Sequence, residues 1–419
     1  MQAPVRYCAA YTASIGSRLL GRVHIAVGVL LRHSVLRMAI CVLSVAFAAM
    51  AVDDTAVARL APGQVRQYFI AADEVDWDYM PSGMDQMMGM APMGYAKFFA
   101  QRGSHLIGKV YRKAIYREYT DATFKHLKPR AADQAYLGLL GPIIHAEVGD
   151  TIKITFKNNG THPYSLHPHG VFYEKAYEGA LYDDGVTPAD KGGDSVAPGK
   201  TFDYVWNVPS RAGPGPNDPS SIVWLYHSHV NERKDVNSGL IGAIIVTRRG
   251  MARPDGTPKD VDKEFVNLFM IIDEGQSWFI DYNVKKFTSD PSHVDLTQVI
   301  PKDFDGHFDF FIGQGTGAQN FRSSINGYQF ANMPMMRMKK GNHVRWYLLT
   351  LGEGFNFHTP HWHGNTVLVN GQRTDVLAIS PAQMLTADMV PDAVGTWLYH
   401  CHVSDHMDAG MVARYEVLP

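Results

Sequence analysis

Cysteine is nearly absent from this chain: three residues among 419, at positions 8, 41 and 401. Acidic residues are missing altogether from the first 52 positions, which carry Arg6, Arg18, Arg22, Arg32 and Arg37. Within that segment an apolar stretch from Met38 follows the basic flank Arg32, His33 and Arg37 and ends in Ala49, Met50 and Ala51. This is the layout of a secretory signal with a small-x-small cleavage site, and it is too short to span a bilayer. An uncleaved anchor or an organellar presequence is the alternative on composition, and no twin-arginine pair is present. Cleavage after Ala51 removes Cys8 and Cys41, so Cys401 remains alone and a disulfide framework is excluded. A charge bias is missing too: the formal charge of −2 offers no nucleic-acid surface. Loss of the five leader arginines would take it to −7, which suits a soluble, mildly acidic protein that is secreted or periplasmic.

Long helical periods are also scarce. From Val65 onward the pattern is short alternating or apolar runs broken by Gly, Pro, Asn and Asp. Thr151 to Phe156 places Ile152, Ile154 and Phe156 on one face, and Leu240 to Val246 is continuously apolar. An all-β sandwich or barrel follows.

What the chain does have is an internal repeat. Trp224, Leu225, Tyr226, His227, Ser228, His229, Val230 recurs as Trp397, Leu398, Tyr399, His400, Cys401, His402, Val403. Upstream, His167, Pro168, His169, Gly170 is matched by His361, Trp362, His363, Gly364. Two homologous domains are therefore expected, at 52–248 and 262–419, after a leader at 1–51 and around a Pro- and Gly-containing linker at 249–261.

Four His-x-His pairs result: His167 and His169, His227 and His229, His361 and His363, His400 and His402. Residues i and i+2 of a strand share a face, so each pair is a chelating pincer. Eight imidazoles exceed the needs of one metal and suit a cluster of redox ions such as copper. The second domain adds His358, three residues before His361, together with Cys401, His406 and Met411. Two imidazoles, a thiolate and a thioether are the donors of a mononuclear blue-copper site. The first domain has Tyr164 and Ser228 at the corresponding places and is expected to lack that site. If His400 to His402 is a strand, Cys401 faces the mononuclear ion while both histidines face the cluster.

These motifs resemble the multicopper oxidase family, with ceruloplasmin-like stretches at Trp77–Tyr79, Tyr116–Asp121 and Leu137–Pro142. The resemblance covers nearly all of the mature chain and implies two tandem cupredoxin (Greek-key β-sandwich or barrel) domains. It implies four coppers per functional unit: type 1 at His358, Cys401, His406 and Met411, and type 2 at His167 and His361. The type 3 pair would take His169, His227 and His402 for one ion and His229, His363 and His400 for the other. It further implies that Cys401, His400 and His402 carry electrons to a cluster where O2 becomes water. In two-domain relatives that cluster lies between neighbouring subunits of a homotrimer, and the same is expected here, with no nucleic acid and no membrane span in the mature chain.

Copper nitrite reductase shares the two-domain trimeric layout, but it carries its blue-copper cysteine in the first domain and lacks the eight histidines. An inert ceruloplasmin-like scaffold is disfavoured because every ligand position is filled. The reductant stays open among phenols or aromatic amines, Fe(II) and Cu(I). Asp405 is a candidate substrate residue, but Ser323 and Ala318 stand where ferroxidases place His and Glu. Methionine crowds two runs, Met80–Met93 and Met333–Met338; the first either handles Cu(I) or packs with adaptable side chains, packing being preferred.

Overall fold

A computed structural model of the chain describes residues 63–187, 190–294 and 319–419; the leader and its cleavage site lie outside the described residues, as does Ala318. The first half contributes β1 Val65–Asp78, β2 Val110–Glu118, β3 Ile143–Glu147, β4 Thr151–Asn158, β5 His167–Pro168, β6 Phe172–Tyr173, β7 Thr201–Asn207, β8 Ser221–His227 and β9 Ile241–Thr247. The second contributes β10 Lys263–Asp273, β11 Phe321–Ile325, β12 Met336–Lys339, β13 Val344–Thr350, β14 Pro360–Trp362, β15 Val367–Val369, β16 Gln372–Thr374, β17 Met384–Met389, β18 Gly395–Cys401 and β19 Val412–Leu418. The described helices are short: α1 Gly94–Ala100, α2 Glu232–Ser238, α3 Ile280–Phe287 and α4 Ser404–Asp408.

The strands alternate as their sequences dictate. In β4 the buried side chains are Ile152, Ile154, Phe156 and Asn158, every second residue, while β9 is buried throughout. The latter is what a continuous apolar run does when both faces are covered.

The repeat extends to topology. Sheet order β2-β1-β4-β7-β6 in the first half becomes β11-β10-β13-β17-β15-β16 in the second, and β3-β9-β8-β5 becomes β12-β19-β18-β14. The parallel pairs correspond as well: β1 with β4 matches β10 with β13, and β3 with β9 matches β12 with β19. Among the described strands only β16 has no first-half equivalent, being added by the tight hairpin through Asn370 and Gly371. Each half is thus a two-sheet cupredoxin fold.

One of two core clusters spans both halves, the other lying almost wholly in the first. The spanning cluster runs from Tyr79, Phe99, Tyr111 and Leu225 of the first half to Phe265, Phe269, Trp346 and Tyr399 of the second. Buried charges cross the same boundary. Lys113 Nζ lies 2.7 Å from Glu274 Oε1, both side chains fully inaccessible. Arg345 reaches Ser220 and Ser221 at 2.7 Å each while its other face holds Asp388. Removing one member of such a pair strands a charge in the interior, so these contacts fix how the halves meet.

Candidate metal centre

The two histidine motifs of each half hold one another. Gly170 adopts φ 72° and Gly364 φ 73°, and a Cβ on either would overlap the ring of Trp224 or Trp397. The glycine of His-x-His-Gly therefore lets the tryptophan of the second motif lie flat on its backbone. In register with that contact, His167 pairs with His227 across β5 and β8, and His361 with His400 across β14 and β18. His169 N and His363 N bond to the carbonyls of Leu225 and Leu398 at 2.8 and 3.1 Å. Two donor sets arise in this way: His167, His169 and His227, and His361, His363 and His400.

Second contacts decide which nitrogen faces inward. His400 Nδ1 lies 2.8 Å from the Cys401 carbonyl, and His227 Nδ1 lies 3.1 Å from that of Ser228. A carbonyl only accepts, so Nδ1 carries the hydrogen in both rings and Nε2 keeps its lone pair. His400 Nε2 is 3.0 Å from His363 Nε2 and 3.2 Å from His361 Nδ1, and His227 Nε2 is 3.1 Å from His169 Nε2. Burial, with repulsion from neighbouring imidazoles behind it, pushes His169 down to about 4. His400 is also pushed down to about 4, by burial first. Neutral rings with converging lone pairs are what a metal ion requires.

The third set is His358, Cys401 and His406, all buried. Cys401 Sγ stands 3.9 Å from His358 Nδ1 and 3.6 Å from His406 Nδ1, and those two nitrogens are 3.2 Å apart. His358 Nε2 lies 3.1 Å from Asn356 Oδ1, which leaves Nδ1 as the lone pair aimed at the centre. Burial pushes the Cys401 thiol up, while Thr359 N, 3.3 Å from the sulfur, works the other way. The thiol thus stays protonated until a cation claims it. Met411 is buried and its backbone bonds to both partners, Met411 O accepting from Cys401 N and Met411 N donating to His406 O.

The expected strand through His402 is shorter than the spacing predicts. β18 ends at Cys401, because α4 begins at Ser404 and turns the chain to bring His406 back to the sulfur. His402 N still bonds to Thr359 O at 2.8 Å, so its ring stays near His400, at 5.5 Å between centroids. His402 is exposed and His229 half-buried, and neither joins the three-residue donor sets. Asp405 is half-buried on α4.

Ser228 occupies the first-half counterpart of Cys401, and its partner is a buried carboxylate rather than imidazoles. Ser228 Oγ donates to Asp235 Oδ2 at 2.7 Å, which also accepts from Val230 N and Asn231 N, while Trp278 Nε1 donates to Oδ1 at 2.8 Å.

Sequence reasoning missed three residues beside the metal donors: Asn356, Thr359 and Asp375, whose Oδ2 is 3.7 Å from His361 Nε2. The first two flank His358, so proximity to a ligand was the available signal; Asp375 had none. No grouping of donors mixes the halves among the described residues, although the expected type 2 and type 3 assignments each combine both. A cavity of about 560 Å³ lined by Tyr68, Trp77, Arg117 and Arg130 contains none of the donors.

Residues 302–419 and 137–250 match two family models, each described as multicopper oxidase. The chain is 41% identical over 355 residues to ferroxidase HEPHL1 of Homo sapiens, which covers 84% of this chain and 29% of that protein. It is 40% identical over 359 residues to hephaestin of Rattus norvegicus, covering 85% and 30%. To Homo sapiens ceruloplasmin it is 38% identical over 360 residues, covering 84% and 32%. The chain thus spans about a third of the length of these relatives. Among solved structures, one titled as a multicopper oxidase superposes with a TM-score of 0.50 at 20% identity, covering 84% of this chain and 89% of its own. A copper nitrite reductase from Nitrosomonas europaea gives 0.50 at 16%, covering 84% and 94%, so the fold alone does not separate the two chemistries. The family binds copper, and the imidazole and thiolate groups described above fit copper sites.

Proposed function

The chain belongs to the multicopper oxidase family, and from that premise we propose that it oxidises a small reductant one electron at a time and delivers four electrons to O2. The observation that carries this reading is that Cys401, a donor of one set, is covalently bonded to His400, a donor of another. Copper at these sets would supply the one-electron chemistry that couples both half-reactions. We assign His358, Cys401, His406 and Met411 to type 1, His167 and His361 to type 2, and His169, His227, His402 with His229, His363, His400 to the type 3 pair. The protein's own part is positional. Asn356 and the Cys401 carbonyl fix the tautomers of His358 and His400, Thr359 N–H steadies the sulfur, and burial keeps water from the thiolate.

The domains we assign are 52–248 and 262–419 with a linker at 249–261, in a chain exported from the cytoplasm. Among the described residues no helix is long and apolar enough to cross a membrane. The cluster would form between copies of the chain, in a homotrimer. Exposed apolar side chains support this placement: Leu181 stands beside the first-half histidines and Val376 beside the second. Val376 pairs with His361 and Leu181 N bonds to His229 O.

The reductant we favour is a phenol, an aromatic amine or a metal ion in its lower oxidation state. A ferroxidase reading is favoured by the names of the relatives, yet Ser323 is sealed inside β11, where it cannot meet iron from solvent. The experiment is colour and gas uptake: an intense blue band that bleaches with anaerobic reductant and returns with air, alongside O2 consumption. Cys401→Ser should abolish both while retaining copper at the imidazole sets by electron paramagnetic resonance. A colourless copper-loaded protein would sink the reading, and nitrite consumption without O2 consumption would favour the reductase.

A further inference from the structure

The cavity that holds none of the metal donors has a chemistry of its own. Its volume, about 560 Å³, falls within the roughly 300–1,000 Å³ that small organic ligands occupy. The wall is mixed: Trp77, Leu137 and Ile143 give it apolar surface, while Arg117, Lys128 and Arg130 bring positive charge. Leu127 and Lys128, which also line it, are exposed, so solvent reaches the interior.

The apolar wall is braced from the second half. Trp77 Nε1 donates to Gly327 O at 2.7 Å, and its ring meets that of Tyr328 at 5.1 Å between centroids. Gly138 turns the chain at φ 52°, where a Cβ would collide with Asn326 O and the Tyr328 ring. A wall held in this way is formed before any ligand arrives.

Charge decides what can enter. Three carboxylates line the cavity, and each is already engaged. Glu118 Oε1 takes Lys128 Nζ at 2.8 Å, and Asp76 takes Arg112 at 3.0 Å and Lys286 at 2.8 Å. Asp255 Oδ1 accepts from Thr257 N at 3.0 Å and Thr257 Oγ1 at 2.7 Å. The two guanidiniums are not neutralised in the same way. Arg130 donates to Gly138 O at 2.9 Å and Leu140 O at 2.6 Å, both uncharged, and forms no ion pair among the described residues. Arg117 Nη1 stays 3.6 Å from Asp73 Oδ2, an oxygen that already accepts from the Tyr119 hydroxyl at 2.8 Å. Removal from water pushes the Arg130 pKa down, and repulsion from Arg117 adds to the shift, so the two cations lie within reach of one another. Guanidiniums present paired N–H donors that match a carboxylate, and an anion between two of them relieves their repulsion.

We propose that this cavity binds a small organic anion, a carboxylate on an aromatic body, with its charge at Arg117 and Arg130. The ring lies along Trp77, Leu137 and Ile143. Lys128 is not the anchor, because Glu118 already neutralises it. The site is separate from the copper sets and does not depend on the oxidase reading.

The test uses the full-length copper-loaded protein and 2-naphthoate, followed by isothermal calorimetry and tryptophan emission. One molecule should bind per chain, with affinity falling as salt is raised. 2-Naphthylmethylamine, which carries the same ring on an ammonium, should not displace it. Arg130→Gln should weaken binding at least tenfold and Arg117→Gln about fivefold. Arg117→Gln gives up only the long contact to Asp73, so it reports on charge if Arg130→Gln unfolds. The blue band and O2 consumption should not move on binding, because no metal donor lines the cavity. Absence of saturable binding, equal binding of the amine, or wild-type affinity in a folded variant overturns the proposal. A blue band that shifts in step with binding overturns it too, by placing the carboxylate on copper. Binding is read without turnover, so failure of the oxidase reading leaves this test intact.

Discussion

At the residue scale the nine side chains that the structure gathers into three donor groups were legible, because metal ligation restricts chemistry to a few side chains at fixed spacings. What orients them was not. Asn356 Oδ1 serves both His358 Nε2 and the Ile271 backbone N–H, the latter at 2.7 Å, and neither contact leaves a mark in the spacing of residues. In the copper-loaded protein Asn356→Leu should free the His358 ring, shift and weaken the blue band and move the midpoint potential of the copper proposed there, while Asn356→Asp, which keeps an acceptor, restores the band. An unchanged spectrum in the leucine variant would deny Asn356 this positioning role. Titration follows from the same burial. His406, like His169 and His400, is pushed down to about 4 by burial from an ordinary 6.5. Between those values the unfolded chain takes up protons that the folded metal-free protein refuses, so stability falls as pH drops from 6.5 towards 4. Asp273, pushed up to about 6 by burial, opposes this below pH 6, but three groups outweigh one. Urea midpoints of the metal-free protein should therefore decline steadily across that window; a flat profile would contradict the burial of these rings.

At the element scale the sequence announced strands well and helices poorly. Alternation in β4 and the apolar run of β9 have the period of their elements, whereas α2 and α4 span seven and five residues, too few for a helical period to emerge. These short helices nevertheless decide what each half can do. α4 returns His406 to Cys401, while α2 returns Asp235 to Ser228, so one frame holds a metal set and the other a hydrogen-bonded carboxylate. The frame itself depends on the glycine–tryptophan contact. Gly364→Ala would place a methyl group 2.6 Å from the Trp397 ring at φ 73°, combining left-handed strain with overpacking. A loss of more than about 2 kcal/mol is expected, read by urea unfolding of the metal-free protein, with Gly170→Ala costing a similar amount. A small effect at both sites would mean that the motifs do not depend on this packing.

At the scale of the whole molecule the repeat made two halves legible, but no pattern in one chain reveals where half-clusters meet. Each set of imidazoles closes ring contacts only within its own half among the described residues, with an exposed apolar residue beside it, Leu181 in the first half and Val376 in the second. A head-to-tail ring would bring the first half of one copy to the second half of the next. This makes a prediction that no single-chain arrangement shares. His227→Ala damages only first-half faces and His400→Ala only second-half faces, so either variant alone should be inactive. If equal amounts are dissociated and reassembled together, roughly a quarter of the interfaces pair two undamaged faces. Those interfaces should restore O2 consumption to about the same fraction of the wild-type rate. A cluster built within one chain would always contain one of the two lesions, and mixing would restore nothing.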